Sequence, residues 1–502
     1  MRRCNPPSNP AASPRARWPW LPSCCQSQSS HRRSRDCSER RCEGLLGSDD
    51  TIAAIATAVA PGQGSVAIVR ISGPQAETIG RLLFRAPGQQ PWDSHRVLYG
   101  HICDPATDER VDEALLLWMK APRSFSGEDV IELHGHGGLI VVERVLELVL
   151  AAGARRAGPG EFSQRAFLNG RLDLTRAEAI SELITARSRR AAQLAMAGLE
   201  GGLQRRIEAL RQQLLDQLAE LEARVDFEED LPPLDGAAVV AALEEVRKAL
   251  EELVAEAGQG QLLREGLRVA IVGRPNVGKS SLLNALSRRE RAIVADQPGT
   301  TRDLVESELV LEGVPLTLLD TAGIRPTDDP IEQLGIARSH QAMATADAVL
   351  LLVDLAEGWT TADRDLRAQL PDQVPQLVVG NKADLAGVTP GLLPDADATA
   401  IDVAISARHG DGLKALATAL LSRCGNSLGP GLVVALNGRQ RDLAAAAAGS
   451  LDRSLEAAAQ QLPYDFWTID LRQAAGSLGA ITGEEVTEAV LDRVFARFCI
   501  GK

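Results

Sequence analysis

Gly273-Arg274-Pro275-Asn276-Val277-Gly278-Lys279-Ser280 has the form G-x-x-x-x-G-K-S. The mostly apolar run 268–272 before it reads as a strand, and 281–286 after it has helical periodicity. A strand that feeds a glycine loop into the start of a helix is the setting this motif requires. The reason is electrostatic: loop N–H groups and the helix N-terminus converge on phosphate oxygens. Lys279 adds a point charge for the β- and γ-phosphates, and the Ser280 hydroxyl suits Mg²⁺. The pattern predicts a nucleotide-binding α/β domain of the P-loop type.

Three later stretches extend the site and name the base. Asp320-Thr321-Ala322-Gly323 follows the strand-like run 316–319. A carboxylate there can hold the Mg²⁺ shell, and the glycine permits close approach to the γ-phosphate. Asn381-Lys382-Ala383-Asp384 follows the run 377–379. Its aspartate can accept from the N1–H and N2–H₂ of guanine, a donor pair that adenine lacks. Ser406-Ala407 follows 402–405, where a backbone N–H can meet guanine O6. Each later stretch alone is also an ordinary polar turn. All four in this order, each after an apolar strand, predict a GTPase. Gly299-Thr300-Thr301-Arg302-Asp303 occupies the place of a switch segment. Thr301 there can reach both Mg²⁺ and the γ-phosphate.

Two positions depart from small regulatory GTPases. Ile324 stands where those carry a water-positioning Gln, and an isoleucine cannot orient water. The next residues offer Arg325, Asp328, Asp329 and Glu332 instead, in a segment acidic enough to be simply solvated. Asn276 is the second departure. Its side-chain carbonyl either coordinates a monovalent cation that offsets transition-state charge or makes a loop-stabilising hydrogen bond.

The 502 residues, 45% of them hydrophobic, suffice for roughly two to four domains. A net charge of −13 does not announce a nucleic-acid binder, so any RNA contact needs a local patch. Arg165, Arg171, Arg176, Arg187, Arg189 and Arg190 form one candidate. Against it stands a solvated helix face that includes Glu178 and Glu182. Aromatics at 3% exclude extensive base-stacking platforms. No apolar run approaches the ~18 residues of a spanning helix, so a soluble, cytoplasmic chain without a membrane partner is expected. Cys4, Cys24, Cys25, Cys37 and Cys42 cluster near the start, with Cys103, Cys424 and Cys499 scattered beyond. That is not a disulfide framework.

Residues 1–48 are rich in Arg, Ser, Pro and Cys and lack apolar periodicity, which predicts disorder. The composition fits an organelle transit peptide or a stretch ahead of the true translation start near Asp49. The lack of a clear amphipathic helix favours the second. Strand-like runs at 51–57, 65–71, 97–102, 113–119 and 129–133, with helical segments 75–84 and 139–152, predict a compact α+β domain. Leu203, Ile207, Leu210, Leu214, Leu218, Leu221 and Val225 then form one helical stripe. Val239, Leu243, Val246, Leu250, Leu253 and Val254 form a second, after Leu231-Pro232-Pro233. Helical period returns at 439–461 and 466–478, so one helical domain is interrupted by an inserted GTPase domain. Near the chain end, Val494, Phe495, Phe498 and Ile500 predict a tail that docks. Cys499 within it is either a reactive thiol beside positive charge or a small buried hydrophobe.

Several runs carry a resemblance. Gly127-Glu128-Asp129-Val130-Ile131-Glu132-Leu133-His134-Gly135-His136-Gly137-Gly138, Gly160-Glu161-Phe162-Ser163-Gln164-Arg165-Ala166-Phe167-Leu168-Asn169-Gly170 and the terminal Phe498-Cys499-Ile500-Gly501-Lys502 resemble the MnmE/TrmE family of tRNA-modifying GTPases. The likeness covers roughly 50–502. It leaves the extension 1–48 without a counterpart and implies a tetrahydrofolate-binding dimerisation domain 49–168 and a GTPase domain 266–426. The helical domain is then discontinuous, built from residues 169–265 and 427–502. It also implies a homodimer that works with the flavoprotein MnmG/GidA, which carries FAD and NADH. Together they place a carboxymethylaminomethyl group on C5 of the wobble uridine of certain tRNAs. The one-carbon donor implied is 5,10-methylenetetrahydrofolate or its 5-formyl analogue.

The family's folate contacts carry over onto Arg70, Glu132, Arg171 and Lys502, with Arg171 standing where some members have Lys. Its K⁺ ligands fall on Asn276 and on Ala295, Gln297 and Thr300 of the loop Ala295-Asp296-Gln297-Pro298-Gly299-Thr300. Its water-orienting glutamate falls on Glu332, and its nucleotide contacts take in Ser281 and Arg408. The alternative reading is an assembly-type GTPase switch acting on ribosomal RNA or a membrane complex, where the Asn276-type loop also occurs. Such a protein lacks the folate-type N-terminal domain and the terminal Cys-Ile-Gly-Lys.

Overall fold

The computed structural model describes residues 50–62, 64–227, 232–289, 306–320, 343–393, 401–424 and 435–502. The expectation of disorder over 1–48 lies outside these residues.

The first layer is a seven-stranded sheet: β1 (Ile52–Ile55), β2 (Val66–Ser72), β3 (Phe84–Arg85), β4 (Val97–Cys103), β5 (Arg110–Met119), β6 (Val130–His136) and β7 (Arg155–Arg156). Its order is β3-β4-β5-β6-β2-β1-β7. Pairing is antiparallel except for β1 with β7. Alternation along β2 sends Ala67, Val69 and Ile71 to one face, where they meet Ile79 and Val145 from the helices Ala76–Leu83 and Leu139–Ala151. The opposite parity carries Ile68 and Arg70, and the β2–β6 register sets Arg70 directly across from Glu132. The two-residue strands β3 and β7 are too short to leave a periodic signal in sequence.

The long helices Gly202–Phe227 and Gly236–Glu265 flank the break at Pro232-Pro233. They share a core with Gly438–Ala459 and Tyr464–Thr482, in which Ile207, Leu214, Leu243, Leu250, Leu451 and Leu471 are fully buried. The first pair and the second pair are separated by the whole nucleotide-binding insertion, yet they make one core. A buried polar clasp closes the junction. Arg439 donates to both Glu178 oxygens at 2.7 and 2.8 Å and to the carbonyls of Ala480 and Ile481. Arg264, at the entry to the insertion, donates to the carbonyls of Ala435 and Leu436 at its exit.

The insertion holds β8 (Leu267–Gly273), β9 (Glu306–Leu311), β10 (Val314–Asp320), β11 (Ala348–Asp354), β12 (Gln376–Asn381), β13 (Gly391–Leu392) and β14 (Val403–Ala404). The order is β13-β14-β12-β11-β8-β10-β9, with an antiparallel strand at each edge and five parallel strands between. β11 is buried at every position, as a central strand covered on both faces requires. Because β8, β10, β11, β12 and β14 are parallel, the loops that follow them leave from one edge of the sheet, where α/β folds bind ligands. Among the described residues no helix is long and apolar enough to cross a membrane.

Candidate functional site

β8 ends at Gly273, and the helix Lys279–Arg289 starts six residues later. The connecting loop needs left-handed backbone at Asn276 (φ +66°) and Gly278 (φ +99°). Asn tolerates that region better than most side chains. Gly278 faces a second constraint, since a Cβ there would lie 2.3 Å from Asn381 Nδ2. Asn381 is the reason for the close approach: Nδ2 donates to the Val277 carbonyl at 2.8 Å. The Lys279 ammonium donates to the carbonyls of Gly273 (2.7 Å) and Arg274 (3.1 Å). Asn276, Ser280 and Ser281 are exposed, so their oxygens are available to cations or phosphates at the sheet edge.

The base side is built from β12 and β14. Asn381 Oδ1 accepts the Ala407 N–H at 3.0 Å, so one buried amide joins the phosphate loop to the third nucleotide segment. Lys382 is left-handed (φ +62°) and ion-pairs with Asp354 at 2.5 Å. Ala383 is buried, and Asp384 is exposed beside Ser406. A hydrogen bond from the Ser406 hydroxyl holds the Asp384 carboxyl below the usual aspartate range, aided by His409 and Arg408. An ionised carboxylate with exposed oxygens is an acceptor suited to a pair of guanine N–H groups.

Two of the backbone N–H groups near the expected guanine O6 position are already engaged within the protein. The Ser406 N–H donates to Asp411 O and the Ala407 N–H to Asn381. Among the described residues, the Arg408 N–H is the one of the three without a hydrogen bond. His409, 3.8 Å from Asp384, has no signal in the sequence motif. Ala295, Asp296, Gln297, Pro298, Gly299, Thr300, Thr301, Thr321, Ala322, Gly323 and Glu332 lie outside the described residues, and Asp320 is described only as the end of β10.

A second constellation forms on the first sheet. Arg70 Nε donates to Glu132 Oε1 at 2.8 Å, and Nη1 donates to the Gly501 carbonyl at 3.2 Å. Its guanidinium lies over the rings of Phe125 and Phe162, at 5.4 and 5.6 Å. Burial drives the Glu132 pKa upward, but the His134 hydrogen bond and the Arg70 charge outweigh it and leave the carboxyl below its ordinary value. Arg171 donates to the Ser124 carbonyl at 3.2 Å, next to Phe125.

The chain end is docked here, as its apolar residues predicted. Phe498 is buried, Ile500 bridges to Pro159, and Gly501 sits where a Cβ would be 2.6 Å from Ile55 O. Gly501, the residue before Lys502, is thereby held against Arg70, and Phe125 is a neighbour of Arg70 that lies outside the quoted motif runs. Cys499 is exposed, which overturns the alternative of a small buried hydrophobe.

The structure removes one member from the arginine series considered as an RNA patch. Arg165 is buried at 4% exposure and bonded to Asp50, Glu128 and Glu161. Arg176 pairs with Asp173 and Arg187 with Glu308.

Comparison with known proteins shows the family. Residues 51–171 match the family described as "GTP-binding protein TrmE N-terminus", and 174–499 match "MnmE helical domain". The tRNA modification GTPase MnmE of Synechococcus sp. (strain RCC307) is 70% identical over 459 residues, covering 91% of this chain and all of that protein. Proteins of the same name from Prochlorococcus marinus (strain MIT 9303) and Synechococcus sp. (strain CC9605) are 67% and 66% identical. They cover 90% and 91% of this chain, and 98% and 100% of their own lengths. These relatives decide against the assembly-type alternative, and the chain belongs to the MnmE family of tRNA modification GTPases.

Proposed function

We propose that this tRNA modification GTPase is K⁺-dependent and acts as a homodimer with a flavoprotein partner carrying FAD and NADH. The pair adds a carboxymethylaminomethyl group to C5 of the wobble uridine. A bound methylene- or formyl-tetrahydrofolate would supply the one-carbon unit. The observation that supports this most is Arg70, which holds both Glu132 and the carbonyl of Gly501. It joins a buried acid, two aromatic rings and the backbone one residue before the terminal lysine, a set suited to a flat heterocycle with an anionic tail. Arg171 and Lys502 would answer the tail carboxylates, and Glu132 would accept from ring N–H groups. Cys499, exposed beside this set, is a candidate nucleophile or proton donor.

In the same reading GTP is held by 276–281, 295–301, 320–323, 381–384 and 406–408, with Mg²⁺ on Ser280 and Thr301. K⁺ sits on Asn276, Ala295, Gln297 and Thr300, and Glu332 orients the attacking water. The domain limits 49–168, 169–265, 266–426 and 427–502, and a cytoplasmic location, belong to the same proposal. Calorimetric titration of the full chain with 5-formyltetrahydrofolate tests it. Binding that Arg70→Ala abolishes is expected; a parent chain that shows no heat of binding overturns the folate assignment.

A further inference from the structure

Two carboxylates at the nucleotide edge of the second sheet are buried and belong to none of the motifs. Asp354, the last residue of β11, is 3% exposed, and Asp363, in the first turn of the helix Thr361–Ala368, is fully buried. Asp363 Oδ2 accepts from the Thr360 N–H at 3.0 Å and the Thr360 hydroxyl at 2.6 Å, which completes a capping box. Capping uses one oxygen. The other, Oδ1, accepts from Arg274 Nε at 2.8 Å, and Arg274 Nη2 reaches Glu357 at 2.9 Å. Arg274 is the second residue of the phosphate loop, and its carbonyl receives the Lys279 ammonium. A continuous line of contacts therefore runs from Asp363 through Arg274 to Lys279.

At the other end of the same turn, Asp354 Oδ2 holds Lys382 Nζ at 2.5 Å while Oδ1 accepts the Ala356 N–H. The Leu355 N–H donates to the Asn381 carbonyl at 2.9 Å. Lys382 lies in left-handed backbone two residues before Asp384. Burying a carboxylate is unfavourable by several kcal/mol unless a partner and hydrogen bonds compensate it. A helix cap alone does not require full burial, and a strand end does not require a charge. Both are accounted for when each acid's partner is a basic residue of a nucleotide loop.

We propose that residues 354–363 form a brace that sets the two nucleotide loops relative to each other. Asp363 acts through Arg274 on the phosphate side, and Asp354 acts through Lys382 on the base side. Both are positioning residues, and neither needs to touch nucleotide. The inference rests on the nucleotide site proposed above.

The test uses the full chain, a fluorescent GDP analogue for affinity and steady-state GTP turnover. Asp363→Asn keeps the one cap oxygen, removes the charge and replaces the oxygen that accepts from Arg274 with an NH₂ group; Arg274→Lys keeps the charge and removes the geometry. Each is expected to lower GDP affinity and kcat/KM for GTP about tenfold, with the double variant no worse than either single one. Asp354→Asn is expected to narrow the preference for GTP over ITP, which lacks the N2 amine, whereas Asp363→Asn leaves that ratio unchanged. A misplaced Asp384 produces that pattern; a general loss of stability does not. Folded Asp363→Asn and Arg274→Lys chains with parental affinity and turnover overturn the brace. So do losses that simply add in the double variant, or an Asp354→Asn chain with the parental GTP:ITP ratio. If Asp363→Asn does not fold, Arg274→Lys and Asp354→Asn decide the question. Failure of the parent to bind the GDP analogue instead sinks the nucleotide site, and the brace with it.

Discussion

Replacing Arg70 with alanine removes one tie between the docked tail and the sheet without touching either backbone. The side chains of Arg70 and Glu132 are 15% and 11% exposed, so solvent screens their 2.8 Å pair little. Removing one member of a buried pair is unfavourable by about 3–5 kcal/mol. Glu132 keeps His134 at 3.0 Å, which places the expected loss at the lower end, about 3 kcal/mol. The tail loses a separate charge-assisted bond, Arg70 Nη1 to Gly501 O at 3.2 Å. Such a bond contributes about 1.5 kcal/mol, so the tail should open roughly tenfold more often.

Carboxypeptidase release of Lys502 measures the opening, and amide exchange across β2 and β6 measures the sheet. The double variant Arg70→Ala/Glu132→Gln should recover some of the sheet's loss, because no charge is then left buried. The pH dependence has a definite sign. The Glu132 pKa lies below its ordinary value of 4.5, so its ionised form stabilises the fold above that value and the benefit is lost as pH falls through the depressed one. In Arg70→Ala the lowering by Arg70 is lost and burial pushes the pKa back up, so the gap between parent and variant is widest near neutrality and narrows as pH falls through the variant's raised pKa. An Arg70→Ala chain with parental exchange in β2 and β6 and no faster release of Lys502 refutes the reasoning.

Asp384→Asn should weaken GTP and favour xanthosine triphosphate, whose base presents a carbonyl in place of the N2 amine; unchanged GTP affinity in a direct titration contradicts this. Because the Ser406 hydroxyl holds the Asp384 pKa low, GTP affinity should not fall through Asp384 protonation until the pH drops below the ordinary aspartate value of 3.8. K⁺ should accelerate hydrolysis well above Na⁺ in the parent and not in Asn276→Ala, and equal parental rates in the two salts count against the cation site. Glu332→Ala should lower kcat by about 10²-fold with nucleotide affinity nearly kept, whereas a parallel loss of binding marks it as structural. Cys499→Ser should abolish wobble-uridine modification and leave GTP hydrolysis intact; a Cys499→Ala chain with normal modification rejects a chemical thiol.

Features that depend on neighbours in the chain were legible before any fold was known. The loop from Gly273 to Ser280 announces its strand and helix, since backbone requirements and apolar periodicity act over a few residues. The Leu and Val stripes at 203–225 and 239–254 announce buried helix faces for the same reason, and Phe498 and Ile500 announce a docked tail. What each polar side chain meets was not legible. Arg165 looks like a surface charge beside Arg171 and Arg176, yet the fold buries it among three acids. The Ala407 N–H looks available to a base until β12 brings Asn381 against it. Arg274 and Asp363 stand 89 residues apart, and Arg70 and Gly501 stand 431 apart. By itself the sequence determined the types of the longer periodic elements, the order of the nucleotide motifs and the family. The tertiary structure decided which charges are paired, which N–H groups are taken and what the chain end touches. Those partners are set by how distant segments return to one another, and no local pattern encodes that distance.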